Sequence, residues 1–482
     1  MSLEERPSVC TLDCPDTCSL TVTVDNGRIA KVRGSEALPL TAGVICNKVA
    51  HHTIDFVHGA NRLTHPLRRV GPKGSGQFER ISWTAALDLI HARVSEVIAK
   101  HGREAVMPLN YAGPHGLLAM DSMSLRFFHK LGATQLYRRS MCGAVRSEAW
   151  AGTYGLVAGI GPEAAEDAKL NVVWGNNATV ANLHLVRNIR KSKRNGGKLV
   201  VVDPLRTKIA EQADLHIALR PGTDVVLGFA LAAELERLGA HDQAFIADNV
   251  HGYDDYMAAA RPWTLALAAE TCGVSATDIA TMARWMADAD PLVISLGNGL
   301  ERGRNGGSGI RTAIALPALL GKFNERNGLV LGAGNAFPKT PAKLARPDLL
   351  PGPTRTLDIM DAGRHLAEDD VAPAPARPLH LQSQPPGRTR RPEPHAPRSH
   401  ARGCLHGWHR DRHDREHGAV RRGATSQHQL RAGRPLRSLR TPLAATRRGR
   451  HPAGWRVASQ HRDFQAPCAP LRVRRPLLQG HR

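Results

Sequence analysis

The sequence predicts an α/β protein built from a small N-terminal hairpin domain, doubly wound parallel-sheet domains and an irregular, disordered C-terminal region. Three observations support this prediction. A hairpin signal lies within the first 35 residues, apolar strand-like runs then alternate with helical stretches, and the composition changes abruptly near residue 371. We place the domains at 1–64, 65–370 and 371–482.

The hairpin is predicted from two short runs joined by a tight turn. Leu20–Val24 and Arg28–Val32 alternate apolar and polar residues, and Asp25-Asn26-Gly27 separates them. Asn-Gly between such runs is a strong hairpin signal, because both positions accept a positive φ. The returning chain would bring Cys46 beside the cysteines that precede the hairpin.

Four of the eight cysteines lie in the first tenth of the chain, at Cys10, Cys14, Cys18 and Cys46. Four converging thiolates suit an iron–sulfur cluster or a tetrahedral zinc ion. Structural zinc more often takes two closely spaced pairs, so the arrangement of three plus one favours a cluster. A disulfide framework is the third alternative.

The body of the chain alternates strands and helices. Strand-like runs are Ala105–Leu109, Gln135–Arg138, Leu170–Trp174, Lys198–Val202, Leu215–Leu219 and Pro291–Leu296. Helices are predicted at 83–100, where Ser82 can cap the first turn, and at about 116–130, 180–194, 223–238 and 307–320. Such alternation predicts parallel sheets with helices on both faces and ligands at the carboxyl ends of the strands.

The loops that follow these strands carry candidate cofactor-binding residues. Glycines permit close backbone approach, helix N-termini attract phosphate, and a carboxylate at a strand end can bind ribose or guanine donors. Taken singly, such loops are more often plain turns. The candidates are Gly175, Asn176, Asp203, Gly222, Asp224 and Gly297.

The cysteine run, with Lys48 two residues after Cys46, resembles the N-terminal iron–sulfur domain of the molybdopterin oxidoreductases, such as formate dehydrogenases, nitrate reductases and dimethyl sulfoxide reductases. The resemblance implies a 4Fe-4S cluster and a molybdenum or tungsten bis-molybdopterin guanine dinucleotide. It also implies that Lys48 lies between cluster and pterin on the electron path, whereas a solvated surface charge is the alternative. Asp203 and Asp224 would contact the nucleotide.

Cys142 stands where this family has its protein ligand to the metal, within Ser140-Met141-Cys142-Gly143. A thiolate suits molybdenum because it is a soft anionic donor. We therefore interpret Cys142 as a catalytic metal ligand, with a buried structural cysteine as the alternative.

One residue departs from the formate dehydrogenases, which carry histidine directly after the ligand. This chain has Gly143 there, which argues against formate as substrate. His115, Arg146 and Glu148 are candidates for proton transfer or support, although each is more often structural. Cys272 is predicted to be a packing residue.

The net charge of +22 belongs to the C-terminal region. Residues 371–482 hold 24 Arg, no Lys and five acidic residues, whereas 1–370 hold 41 basic and 38 acidic residues, a balance of +3. A basic nucleic-acid-binding tail, a disordered linker and an out-of-frame segment are the alternatives. The segment also lacks Ile, Tyr, Asn and Met, whose codons are rich in A and T, so a frameshift at roughly 371–378 is favoured.

These observations predict a cytoplasmic oxidoreductase that acts on a small substrate and exchanges electrons with a donor or acceptor partner. No nucleic-acid partner is expected, and no run of eighteen apolar residues predicts a membrane span. The N-terminus lacks an apolar signal core. The frameshift would impair the enzyme. The alternative is a non-catalytic binding protein stabilised by an iron–sulfur cluster or zinc.

Overall fold

The computed structural model describes residues 3–111, 122–138, 142–157, 159–303, 305–330, 341–368 and 472–473. Its strands are β1 (Leu3–Val9), β2 (Ser19–Asp25), β3 (Arg28–Gly34), β4 (Leu67–Arg69), β5 (Phe78–Arg80), β6 (Gln135–Tyr137), β7 (Leu170–Trp174), β8 (Lys198–Val202), β9 (Leu215–Ile217), β10 (Val250–His251), β11 (Leu292–Leu296), β12 (Gly328–Leu329), β13 (Thr356–Asp358) and β14 (Arg472–Val473).

The helices are distributed along the same ranges. They are α1 (Asn47–His58), α2 (Trp83–His101), α3 (Met123–Leu131), α4 (Ala144–Tyr154), α5 (Ala178–Ala181), α6 (Leu183–Arg194), α7 (Asp224–Arg237), α8 (Gln243–Asn249), α9 (Tyr253–Ala260), α10 (Leu265–Cys272), α11 (Ala276–Asp288), α12 (Asn298–Glu301), α13 (Gly306–Leu319), α14 (Pro341–Ala345) and α15 (Ala362–Glu368).

The N-terminal domain is a three-stranded antiparallel sheet in the order β1-β2-β3. The predicted hairpin is confirmed, and Asn26 and Gly27 take positive φ angles of 47° and 76° as a tight hairpin turn requires. Helix α1 contacts β3, and the two enclose a small apolar core of Cys18, Leu20, Val32 and Val49.

A five-stranded parallel sheet in the order β12-β11-β7-β8-β9 forms the centre of the body. Its side chains alternate between two cores because successive strand residues point to opposite faces. In β7, Val172 and Trp174 join a large core with α7 and α13, whereas Val173 joins a second core with α6. Both faces are therefore covered by helices, which confirms the doubly wound prediction.

The structure corrects several boundaries. The strand predicted at Ala105–Leu109 is wrong: a 3₁₀ helix ends at Ala105, and one backbone bond, Thr134 N–H to Val106 O at 2.9 Å, takes the place of a strand ladder. Helix α2 is capped by Ser82 Oγ as predicted, yet none of its side chains is buried. The predicted start of α3 at 116 falls outside the described residues.

One further region differs from expectation. Helices α8 to α11 lie within 243–288, a range for which no helix bounds were predicted. The C-terminal region lies outside the described residues apart from β14, which pairs antiparallel with β10. Within the described part of the chain, no helix combines the length and apolar character needed to cross a membrane.

Candidate active site

The carboxyl edge of the central sheet contains a topological switch point beside β7. The chain leaves β7 toward β8 on one side, whereas the later strand β11 pairs with β7 on the other side. In open α/β sheets, ligands bind in the crevice at such a point. The loops that begin at Gly175 and Gly297 meet there, since Gly297 N–H donates to Trp174 O at 2.9 Å and Gly299 N–H donates to Gly175 O at 2.9 Å.

Glycine is required at the contact between these two loops. A Cβ at Gly297 would overlap the Gly175 carbonyl oxygen and the Asn176 backbone. Gly175 has a φ of 61°, and a Cβ there would overlap Leu300. The edge is thus locked by backbone packing, which fixes the side chains that project from it.

Cys142 lies at this edge, immediately before α4. Its half-buried Sγ accepts a hydrogen bond from Asn298 Nδ2 at 3.3 Å, and Arg302 Nη2 lies 3.7 Å from the same sulfur. The two contacts hold the Cys142 sulfur in place beside the loop that follows β11. Sequence analysis had identified neither Asn298 nor Arg302 as a partner of Cys142, because no local pattern links residues so far apart.

Arg146 holds α4 against the same loops. Its backbone N–H donates to Glu301 Oε2 at 3.2 Å, and its guanidinium donates to Leu296 O at 2.7 Å. Burial raises the pKa of Glu301 above its ordinary value, and the charge of Arg146 opposes this shift. Arg146 is therefore a structural residue at the site, as the sequence had suggested.

Glu148 is half-buried on α4, and His115 lies outside the described residues. Cys272 is fully buried in the large core, and burial raises the pKa of its thiol to about 11. The prediction that Cys272 is a packing residue is confirmed.

The six candidate cofactor-binding residues follow four neighbouring strands at this edge: Gly175 and Asn176 follow β7, Asp203 follows β8, Gly222 and Asp224 follow β9, and Gly297 follows β11. Asp224 Oδ1 accepts a hydrogen bond from Trp174 Nε1 at 2.8 Å. Burial raises the pKa of Asp224, the hydrogen bond from Trp174 lowers it, and the charge of Asp203 raises it further. Asp203 Oδ1 accepts from Leu205 N–H at 2.9 Å. The structure brings the residues together, while whether they bind a nucleotide stays a prediction.

The four N-terminal cysteines also converge. Cys10, Cys18 and Cys46 pack on the small N-terminal core, and Leu12 N–H lies 3.4 Å from Cys10 Sγ. Burial, followed by the charges of Asp16 and the other three thiols, raises the pKa of Cys18 to about 12. All described cysteines are free thiols. Four unpaired sulfurs within electrostatic reach of one another fit a 4Fe-4S cluster.

Lys48 lies in the first turn of α1, two residues after Cys46. Its side chain is exposed, as the surface alternative expects. Its charge also lowers the pKa of Cys14, although burial raises that pKa more strongly. Lys48 is therefore both solvated and close to one of the four thiols.

The cysteine loop docks on the first turn of α6. Asp16 Oδ2 accepts from Leu183 N–H at 2.6 Å, Asp16 Oδ1 accepts from His184 N–H at 3.3 Å, and Cys18 Sγ lies 3.3 Å from His184 Nε2. Because α6 follows the loop after β7, both sulfur sites lie at the same edge of the sheet. Sequence analysis missed Asp16 and His184, since no local pattern links residues so far apart.

Comparison with known proteins agrees with these features. The model of the molybdopterin oxidoreductase family matches residues 62–365, and that of the molybdopterin oxidoreductase Fe4S4 domain matches residues 3–57. The "Probable oxidoreductase YoaE" of Bacillus subtilis is 36% identical over 75% of this chain and 53% of its own length. "Probable oxidoreductase YyaE" of the same organism is 32% identical over 71% and 50%.

A solved structure shows the same fold. "Acetylene Hydratase from Pelobacter acetylenicus" superposes with a TM-score of 0.60 and 25% sequence identity, covering 71% of this chain and 47% of that chain. The chain spans about half the length of the curated relatives it matches.

Proposed function

The chain belongs to the molybdopterin oxidoreductase family, and we propose that it supplies the iron–sulfur cluster and one wall of the metal site of a two-electron oxidoreductase. The observation that carries this proposal is the placement of two separate sulfur sites at one edge of one sheet. A cluster site alone would serve a binding protein equally well. A second thiol at the switch point, held by two donors, is what a redox metal site needs.

Cys10, Cys14, Cys18 and Cys46 would hold the 4Fe-4S cluster that the family implies. Their three-plus-one spacing and their free, converging thiols support this assignment over zinc. Lys48 would lie beside the cluster on the electron path, and its charge near Cys14 supports that role.

Cys142 would be the protein ligand to molybdenum or tungsten, and the bound metal would supply the two-electron oxidation or reduction. Asn298 and Arg302 would keep the Cys142 sulfur oriented toward the metal. The six edge residues from Gly175 to Gly297 would bind the bis-molybdopterin guanine dinucleotide. The glycine contacts and the α7 N-terminus support this, because pyrophosphate needs close backbone approach and a positive helix end.

The substrate would be a small molecule, and a separate donor or acceptor would exchange electrons through the cluster in the cytoplasm. Gly143 argues against formate, since the formate dehydrogenases have histidine at that position. The names of the two Bacillus subtilis relatives, both probable oxidoreductases, support oxidation or reduction as the reaction class.

We also propose that residues 371–482 are translated out of frame and do not continue the family sequence. The match to the family model ends at residue 365, close to the point where Lys, Ile, Tyr, Asn and Met disappear. The nucleotide sequence around codon 371 tests this directly: an open frame that continues the family sequence one base away is expected. If the alternative frames encode only stop codons or unrelated residues, the proposal is wrong.

The catalytic assignment is tested in the frame-restored protein. Cys142→Ala should abolish turnover with a redox dye while leaving about four irons per chain in place. Cys272→Ala removes a buried packing thiol that contacts Thr223 O and not the Cys142 sulfur, and it should keep both the irons and the turnover. Turnover that survives Cys142→Ala would refute the ligand role, and zinc in place of iron in the anaerobic protein would favour the non-catalytic binding protein.

A further inference from the structure

His184 is a buried histidine on α6 whose ring meets one of the four proposed cluster ligands. Cys18 is 5% exposed and His184 is 1% exposed, with 3.3 Å between Cys18 Sγ and His184 Nε2. Such a contact between dry groups is electrostatically stronger than the same contact in water.

The direction of this hydrogen bond follows from the proposed function. A free Cys18 thiol could donate to or accept from the ring, but a cysteine bound to iron has lost its proton and can only accept. His184 Nε2 must then carry the hydrogen. In agreement, His184 Nδ1 is buried and has no hydrogen-bond partner among the described residues. A buried nitrogen without a partner costs less free energy as an acceptor lone pair than as an N–H donor, so the hydrogen belongs on Nε2.

Asp16 fixes the geometry of this contact. Its two carboxylate oxygens accept the backbone N–H groups of Leu183 and His184, so the cysteine loop is tied to the helix that carries the ring. Asp16, Cys18 and His184 together would resemble a metal site, since one ligand atom of each lies within 4.8 Å of the others. With the Asp16 oxygens already accepting backbone hydrogens and Cys18 committed to the cluster, His184 alone remains, which is too few ligands for a second ion.

We propose that His184 donates an Nε2–H hydrogen bond to the Cys18 sulfur and thereby raises the reduction potential of the cluster. The inference rests on the proposed cluster ligation. Reduction adds negative charge that is shared by the cysteine sulfurs, and a donor aimed at one of them stabilises the reduced form. His184 is thus a positioning residue that tunes electron transfer from the central domain.

The test is a redox titration of the anaerobically purified full chain, followed by electron paramagnetic resonance of the reduced cluster. His184→Leu removes the donor with little change in volume and should shift the midpoint potential downward. His184→Gln can still donate and should recover part of the shift. His241→Leu removes another buried histidine, one that contacts Tyr253 rather than a cluster cysteine, and should leave the potential unchanged.

Iron content separates the two proposals. If the wild-type chain holds no iron, the cluster assignment has failed. If iron is present and His184→Leu keeps the wild-type potential, the role of His184 is refuted. If His184→Leu loses its iron, the test uses wild-type protein labelled with ¹⁵N-histidine. Pulsed electron paramagnetic resonance should then show one histidine nitrogen coupled to the reduced cluster. Absence of that coupling overturns the inference.

Discussion

The two sulfur sites are built in opposite ways. The four N-terminal cysteines lie within 37 residues of sequence, around a core of four buried side chains on one hairpin and one helix. The Cys142 site draws on residues 156 and 160 positions away, and it rests on two large cores and five strands. The first site is local in sequence, whereas the second is assembled from residues far apart in sequence.

Because the two sites are built differently, they depend on different contributions to their stability. A domain with so small a core gains folding free energy from the metal it binds, so ligand loss and domain unfolding are coupled. The sheet edge is held by backbone packing between the loops that follow β7 and β11. A large cofactor, however, needs contacts from many directions, and one edge provides only some of them.

The largest expected effect is the loss of the cluster when one of its ligands is removed. Cys14→Ser should reduce the iron from about four per chain to near zero and remove the broad brown absorbance of the anaerobic protein. Cys272→Ala should keep both, because that thiol is a packing residue in the other core. A Cys14→Ser protein with full iron would show that the local site is not the one described.

The next effect is expected from crowding the sheet edge. Gly297→Ala should lower the free energy of unfolding by about 1–3 kcal/mol, because its Cβ would overlap the loop after β7. Gly152→Ala is the matched control: it lies in α4 with no atom within 4 Å of the added carbon, and should stabilise by about 0.5–1 kcal/mol. Chemical denaturation measures both, and equal effects would mean that the edge is not backbone-locked.

The smallest effect concerns Glu301 and depends on pH. Its pKa is raised by burial above 4.5, so the folded state binds the proton more tightly than the unfolded state does. The stability that this adds is complete at pH below 4.5 and is lost as the pH rises through the raised pKa. The glutamine side chain of the Glu301→Gln variant cannot titrate. The melting temperature of this variant should therefore rise relative to that of the wild type as the pH increases.

A difference between Glu301→Gln and the wild type that stays constant from pH 4 to pH 8 would contradict the burial argument.

The local site was also the one that sequence could predict. The spacing of Cys10, Cys14, Cys18 and Cys46 and the Asn-Gly turn are short-range patterns. Strands β7, β8 and β11 were predictable for a similar reason, because strands buried on both faces read as continuous apolar runs. Strand β1 was missed because all seven of its residues are exposed and follow no apolar alternation.

The long-range contacts that complete each site could not be predicted from the sequence. Cys18 and His184 are 166 residues apart, and Cys142 and Arg302 are 160 apart. Only the folded sheet brings them together, since α6 and α12 begin from loops at the same edge. Cys142 itself was identified by resemblance and order, while its donors were found from the geometry.

The most direct test of the contrast is to measure iron and molybdenum or tungsten together in the anaerobically purified 482-residue chain. The local site should assemble, with about four irons per chain, while the dispersed site should retain the pterin-bound metal poorly and show little turnover. Restoring the frame near codon 371 should raise the molybdenum or tungsten content without changing the iron. Full occupancy and turnover in the unrestored chain, or zinc without iron at the four cysteines, would contradict the account.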